Sequence, residues 1–187
     1  KRSTKALIAH VDGIEGLAVV GVPAGPLLAV RSEAAAGSAS AVDPHLWADA
    51  MVAAGWHMQL QPGYRQPDGS WLARTTHLTV TPVTESVLPQ LRAAMTECAQ
   101  KVRGVKGIEP KRVLAAPGPD RGLEAMGISA GDGMLPAQMA PLLALVEALP
   151  REVTAQLLID LLAGIVAPGN QGLPAPPNRG SGCTPGT

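Results

Sequence analysis

The stretch "LAVVGVPAGPLLAVRS", residues 17–32, contains two runs of β-forming apolar residues with a short segment rich in Pro and Gly between them. This arrangement is typical of two antiparallel strands joined by a turn. We therefore predict strands at residues 17–21 and 27–32. Because both runs are almost continuously apolar, we expect these strands to be covered on more than one face.

A helix is predicted on each side of this pair of strands. Apolar residues recur at helical spacing from residue 7 to residue 14, and glycines then end the pattern. The second helix starts at Asp43-Pro44, because the Asp side chain can cap a backbone N–H group and Pro lacks a donor that would be orphaned there. Gly55 ends this helix. Since the first helix has no lead-in, we also expect a further segment to precede Lys1.

A second pair of strands is predicted from alternating side chains at residues 56–60, "WHMQL", and 77–81, "HLTVT". In the first of these, His57 and Gln59 would face one side of the sheet and the apolar residues would face the other. The polar stretch "QPGYRQPDGS" between them carries two turn signals and is predicted to be a loop. A third helix should start near residues 84–86, because the Pro that follows is tolerated only in a first turn.

The order helix, strand, strand, helix, strand, strand, helix predicts an α+β fold with a small antiparallel sheet and helices on one face. Residues 1–104 would form this domain. A linker-like stretch occupies residues 105–133, and a helical extension follows at residues 134–166. The Pro- and Gly-rich tail, residues 167–187, is predicted to be disordered.

Four side chains are candidates for a cleft or a domain interface. His57 and His77 lie on strands that could be neighbours, but no third ligand accompanies them at metal-site spacing, so we predict that they meet solvent or another domain. Gln59 shares the face of His57. Arg65, in the polar loop, or Arg74 could bind an anionic group such as a phosphate or a carboxylate, or remain a solvated charge. No catalytic, cofactor-binding or metal-binding residue is predicted, and His45 is placed on a polar helix face.

The composition argues against several classes of function. Lys and Arg together number 15, as do Asp and Glu, so the formal net charge of zero favours neither nucleic acid nor an anionic membrane surface. No apolar run is long enough for a membrane span, and no secretory signal opens the chain. Two cysteines without disulfide or metal-ligand spacing favour a reducing, cytoplasmic location.

Several motifs together resemble the C-terminal small domain of pyridoxal-phosphate-dependent group II decarboxylases, with the sphingosine-1-phosphate lyase branch and its bacterial relatives most similar. The residues that carry the resemblance are Gly13-Ile14, Gly16-Leu17, Val19, Gly21 and Pro23, then Gly55-Trp56-His57, then His77-Leu78-Thr79-Val80 with Pro82. They occur in the same order over residues 1–104. Further on, "LEAMGISAG" stands where these lyases have a segment with Tyr-Gly-Met, and the Tyr is absent.

The resemblance implies the small domain of a fold-type I carbon–carbon lyase, either a decarboxylase or an aldehyde-lyase. Pyridoxal phosphate would be bound by a preceding large domain through a Lys that follows a His, and this chain has no His-Lys pair. The chain would therefore be inactive alone. It would pack on the large domain or on a second subunit, and the complete enzyme would be a homodimer.

Two other functions stay open from the residues alone. The sheet and the Leu-rich helices could form a non-enzymatic dimerisation or docking module. Alternatively, Ser129 in "GISAG" matches the G-x-S-x-G pattern of a hydrolase nucleophile. That motif requires a preceding strand, and none is predicted there.

Overall fold

Four strands form one antiparallel sheet in the computed structural model, which describes residues 1–107, 137–149, 154–156, 159 and 163. The elements in chain order are α1 Arg2–Val11, β1 Leu17–Val19, β2 Leu27–Ser32, α2 Pro44–Ala53, β3 Gln59–Gln61, β4 Tyr64–Arg65, β5 Trp71–Leu72, β6 Thr75–Thr79, α3 Pro82–Ser86, α4 Leu88–Val102 and α5 Ala140–Ala148. The strand order is β1-β2-β6-β3, and each neighbouring pair is antiparallel. Helices α1, α2 and α4 share one core with the sheet. The predicted α+β fold is confirmed.

The side chains of the sheet divide between two faces, because alternate residues of a strand point in opposite directions. The inner face carries Leu17, Leu28, Val30, Thr76 and Leu78, all of them buried. The register pairs Leu28 with Leu78 and Val30 with Thr76, which keeps these side chains on the same side. The opposite face, called the open face below, carries exposed or half-buried residues in the described part of the chain.

The core between the sheet and the helices is mostly aliphatic. Leu7 of α1, Trp47 and Met51 of α2 and Met95 of α4 are fully buried in it. The indole N–H of Trp47 donates a 3.1 Å hydrogen bond to the carbonyl oxygen of Met95, which satisfies the one polar atom of this side chain. This contact fixes α2 against α4.

Local backbone geometry explains where α2 and β1 begin. As predicted, Asp43 Oδ1 accepts hydrogen bonds from the backbone N–H groups of His45 at 2.8 Å and Leu46 at 3.3 Å at the start of α2. Gly16, just before β1, has a φ of +90°, and a Cβ atom there would collide with the carbonyl oxygen of Ser40. Only Gly fits this close approach without strain.

Two local predictions are wrong, and one stays a prediction. The expected cover on a second face of β1 and β2 is not provided by the described residues, among which Leu27 is 51% exposed. The stretch at residues 61–70 is not a plain loop, because β4 lies within it and pairs with β5 in a second, two-stranded sheet. The third helix starts earlier than predicted and in two pieces: α3 begins at Pro82, and Val87 separates it from α4.

Helix α5 lies in the predicted helical extension, residues 134–166, and packs against α2 and β3. Residues 154–156, 159 and 163 are also helical. The predicted linker from residue 108 on, the predicted tail and Ser129 lie outside the described residues. Among the helices that are described, none is both long and apolar enough to cross a membrane.

Candidate functional site

The open face brings together Gln59 and His77, two of the four predicted interface residues. His77 pairs with Gln59 on one side and with Ala29 on the other, so these side chains form a row across three strands. The same register, continued two residues beyond β3, places His57 opposite Thr79. Gln59 and His77 therefore share the open face, whereas His57 lies outside β3 and its place on that face stays a prediction.

His77 is the half-buried histidine of the open face. Its Nε2 lies 3.0 Å from the hydroxyl oxygen of Thr75. Partial burial lowers the pKa of His77 below its ordinary value of 6.5, so the ring is neutral at pH 7. A neutral imidazole can donate one hydrogen bond and accept another, which suits contact with a polar protein surface.

The other end of the open face is apolar. Val20 and Leu27 are 42% and 51% exposed, and Val22, in the turn between β1 and β2, is 97% exposed. The N–H group of Val20 donates a 2.8 Å hydrogen bond to the carbonyl oxygen of Ala29, which continues the β1–β2 ladder. The exposed Arg31 of β2 lies on the same face, opposite Ala18. Apolar residues beside polar ones and an Arg give this surface a composition that occurs in protein–protein interfaces.

Arg65, the fourth predicted residue, does not lie on the open face. It is on β4, opposite Trp71, and its guanidinium donates a 3.3 Å hydrogen bond to the carbonyl oxygen of Gly69. Trp71 and Leu72 of the same hairpin are 53% and 56% exposed. Arg65 therefore belongs to a second exposed surface, on the β4–β5 hairpin.

A largely buried ion network, which the sequence did not predict, links the α+β domain to α5. The guanidinium of Arg74 donates to Asp43 Oδ2 at 2.7 Å and to Glu147 Oε2. The other oxygen of Glu147 accepts the backbone N–H of Gly63 at 2.7 Å. The side chain of Glu147 is only 7% exposed. Burial acts to lower the pKa of Arg74, but the two carboxylates outweigh it and hold that pKa above its ordinary value.

His45 lies beside this network and is fully buried, so its predicted placement on a polar helix face is wrong. Its Nε2 lies 2.9 Å from the carbonyl oxygen of Gln61, and its Nδ1 has no hydrogen-bond partner. Burial lowers the pKa of His45 below its ordinary value of 6.5. The sheet, α4 and α5 all pack on α2, so this helix has little room for a solvated polar face.

Asp49 of α2 anchors the other end of α5. Its two carboxylate oxygens accept the backbone N–H groups of Met139 and Ala140, both at 2.9 Å. These N–H groups stand at the start of α5, where no intrahelical acceptor exists for them. Helix α5 is therefore held by Asp49 near its first residue and by Glu147 near its last.

Two carboxylates line the cleft beside Arg74, which disfavours an anionic ligand such as pyridoxal phosphate. The cleft has a volume of about 530 Å³, and Trp71 and Lys106 are among its lining residues. The guanidinium of Arg74 is already paired with Asp43 and Glu147, which leaves Lys106 as the lining cation available to a phosphate group. Among the described residues, no group of three or more His, Cys, Asp or Glu side chains could hold a metal ion.

Comparison with known proteins identifies the C-terminal part of the chain. Residues 111–164 match the family described as "Pyridoxal-dependent enzyme, C-terminal putative HTH domain", in which HTH stands for helix-turn-helix. A search of curated proteins finds no match. The matched residues follow the α+β domain in the chain, and helix α5 lies within them.

Proposed function

We propose that this chain is the C-terminal portion of a pyridoxal-phosphate-dependent carbon–carbon lyase, either a decarboxylase or an aldehyde-lyase similar to sphingosine-1-phosphate lyase. The observation that carries the proposal is the match of residues 111–164 to the C-terminal domain of pyridoxal-dependent enzymes. The α+β domain ahead of this segment supports it, because the resemblance of residues 1–104 to a decarboxylase small domain implies that fold.

The cofactor would be bound by a large domain that these 187 residues do not contain. Pyridoxal phosphate supplies the electron sink for a carbanion in such enzymes. The residues of this chain would shape the edge of the active-site cleft and position the neighbouring domain. Without the large domain the chain would be inactive, and the complete enzyme would be a cytoplasmic homodimer.

We assign the contact with the large domain, or with a second subunit, to the open face. His57, Gln59 and His77 would form its hydrogen bonds, and Leu27 with Val20 would contribute the apolar contact. Arg65, on its separate hairpin, would bind an anionic group of the neighbouring subunit through its guanidinium.

The helix-turn-helix description of the C-terminal family does not favour nucleic-acid binding in this chain. Residues 111–164 contain four Lys or Arg and six Asp or Glu residues, a formal balance of 4 − 6 = −2. Affinity for nucleic acid depends on cations that neutralise phosphates. The second candidate function is a non-enzymatic docking module, which the exposed apolar residues of the open face favour.

Co-expression with a pyridoxal-phosphate-binding large domain tests the proposal. We expect a stable complex that absorbs visible light through its bound cofactor and releases either carbon dioxide from an amino acid or an aldehyde from a phosphorylated amino alcohol. The product distinguishes the two branches. A complex that stays colourless favours the docking module. Turnover by this chain with pyridoxal phosphate and no second polypeptide contradicts the proposal.

Paired variants test the role of the open face. The double variant Gln59→Ala/His77→Ala should reduce copurification with the large domain by about tenfold, because truncated interface side chains leave polar groups of the partner unpaired. Gln100→Ala, on an exposed position of α4, is the matched control. Equal copurification of the two variants would show that the open face is not the contact surface.

A further inference from the structure

Six residues from four parts of the chain form a hydrogen-bonded network, called the circuit, that includes Arg74. They are Asp43, His45, Gln61, Gly63, Arg74 and Glu147. Asp43 stands at the start of α2, Gln61 and Gly63 lie at the β3–β4 turn, Arg74 precedes β6, and Glu147 is on α5. His45 contributes twice, because its ring contacts the carbonyl of Gln61 and its backbone N–H donates to Asp43. The chain itself joins Gln61 to Gly63 through Pro62.

His45 is the member of this circuit whose unperturbed charge changes near neutral pH. In the neutral ring Nε2–H donates to the carbonyl of Gln61, so Nδ1 carries a lone pair and has no partner. A second proton would create a buried N–H group without an acceptor. The charged groups near the ring are Arg74, which disfavours protonation, and Asp43 and Glu147, which favour it. Burial outweighs the two carboxylates.

Helix α5 is the part of the circuit that can leave with the least loss of packing. The fully buried side chains of Trp47 and Met51 hold α2 in the core. By contrast, α5 is only 9 residues long and contacts α2 and β3, although Leu142 and Leu145 are buried and Asp49 accepts the N–H group of Ala140. Since α2 carries His45 and β3 carries the Gln61 carbonyl, the departure of α5 would remove Glu147 from the circuit together with packing beside both elements.

We propose that this circuit is an acid-released latch, which holds α5 on the α+β domain at neutral pH and opens when His45 is protonated. The latch belongs to this chain alone and does not depend on the cofactor or on the lyase assignment. The contact between α5 and the α+β domain would then be regulated by pH.

The direction of the pH effect follows from proton linkage. Burial lowers the pKa of His45 in the closed form below 6.5, so the closed form binds fewer protons than an open form in which water reaches the ring. Neutral His45 therefore makes its whole contribution to the stability of the closed form above pH 6.5. This contribution decreases as the pH falls from 6.5 toward the lowered pKa of the ring. Acid shifts the population toward the open form.

Hydrogen exchange of the full chain, measured by mass spectrometry between about pH 5 and pH 7.5, tests the latch. After correction for the intrinsic exchange rate, the amides of α5 should exchange several-fold faster at the acid end, because the open form binds the additional proton of His45 more tightly than the closed form does. His45→Gln keeps an N–H donor for Gln61 but cannot titrate, so its α5 exchange should not depend on pH. His10→Gln, on α1, which packs against α4, β1 and β2, is the matched control and should show the same pH dependence of α5 exchange as the unmodified chain.

A further variant protects the test against misfolding of His45→Gln. Arg74→Met removes the central cation from a partly exposed position, so α5 should exchange at the fast rate throughout the pH range while the protection of α4 is retained. Protection of α5 that is the same in Arg74→Met and in the unmodified chain would overturn the proposal. The same conclusion would follow if folded His45→Gln retained the full pH dependence.

Discussion

The two faces of the sheet differ in chemistry although the same strands build both. Leu28 and Val30 of β2 have no exposed surface on the inner face, whereas Leu27, the neighbour of Leu28 in the chain, is 51% exposed on the open face. The comparison shows how the period of two in a strand separates two tasks. Inner positions stabilise the fold, and open-face positions are available to a partner.

The largest expected difference between the faces is found at two adjacent leucines. Leu28→Ala should lower the free energy of unfolding by about 2–5 kcal/mol, because it removes buried methyl groups and leaves a cavity. Leu27→Ala should change it by no more than about 0.5 kcal/mol, as is usual for a surface substitution. Chemical denaturation of the two variants, monitored by tryptophan fluorescence, measures the difference.

This pair can also refute the division into two faces. If Leu27→Ala destabilised the isolated chain as much as Leu28→Ala does, some part of the chain would cover the open face in solution. In that case the open face would not be available to a large domain. A small effect of Leu27→Ala alone, combined with weaker copurification, is the result that supports the proposed contact.

A smaller difference is expected for two threonines of β6. The hydroxyl of the fully buried Thr76 donates a 2.6 Å hydrogen bond to the carbonyl oxygen of Pro44, at the start of α2. Thr76→Val should therefore lower the free energy of unfolding by about 1 kcal/mol. Thr79→Val, at an exposed position of the open face, should be neutral within about 0.5 kcal/mol or slightly stabilising. Equal effects in thermal unfolding would mean that the hydrogen bond to Pro44 contributes nothing.

The sequence predicted the sheet and the open face because both depend on short-range patterns. Alternation predicted strands near residues 56–60 and 77–81, and the structure pairs Gln59 of β3 with His77 of β6. The two-residue strands β4 and β5 were not predicted, because alternation of side chains cannot be recognised over two residues.

The ion network could not be predicted, because its contacts join residues far apart in the chain. Asp43 and Arg74 are separated by 31 positions, and Arg74 and Glu147 by 73. The burial of His45 was missed for a related reason. The prediction assumed that α2 is covered along a single stripe, whereas the sheet, α4 and α5 all pack on it. A polar residue on such a helix can be buried when a distant segment completes its surroundings.

The smallest effect that distinguishes the two faces is the titration of His77. Burial lowers its pKa, so the folded chain binds fewer protons at this site than the unfolded chain does. The contribution of His77 to stability is therefore complete above pH 6.5 and decreases as the pH falls below that value.

A partner that covers the open face with uncharged groups adds burial and should lower the pKa of His77 further. NMR titration of the ring, free and in the complex, measures this change, and His77→Gln identifies the signal. A pKa that rises on complex formation would mean that a carboxylate faces His77, and the contact would then be an ionic one rather than the mixed apolar and hydrogen-bonded contact proposed for this face.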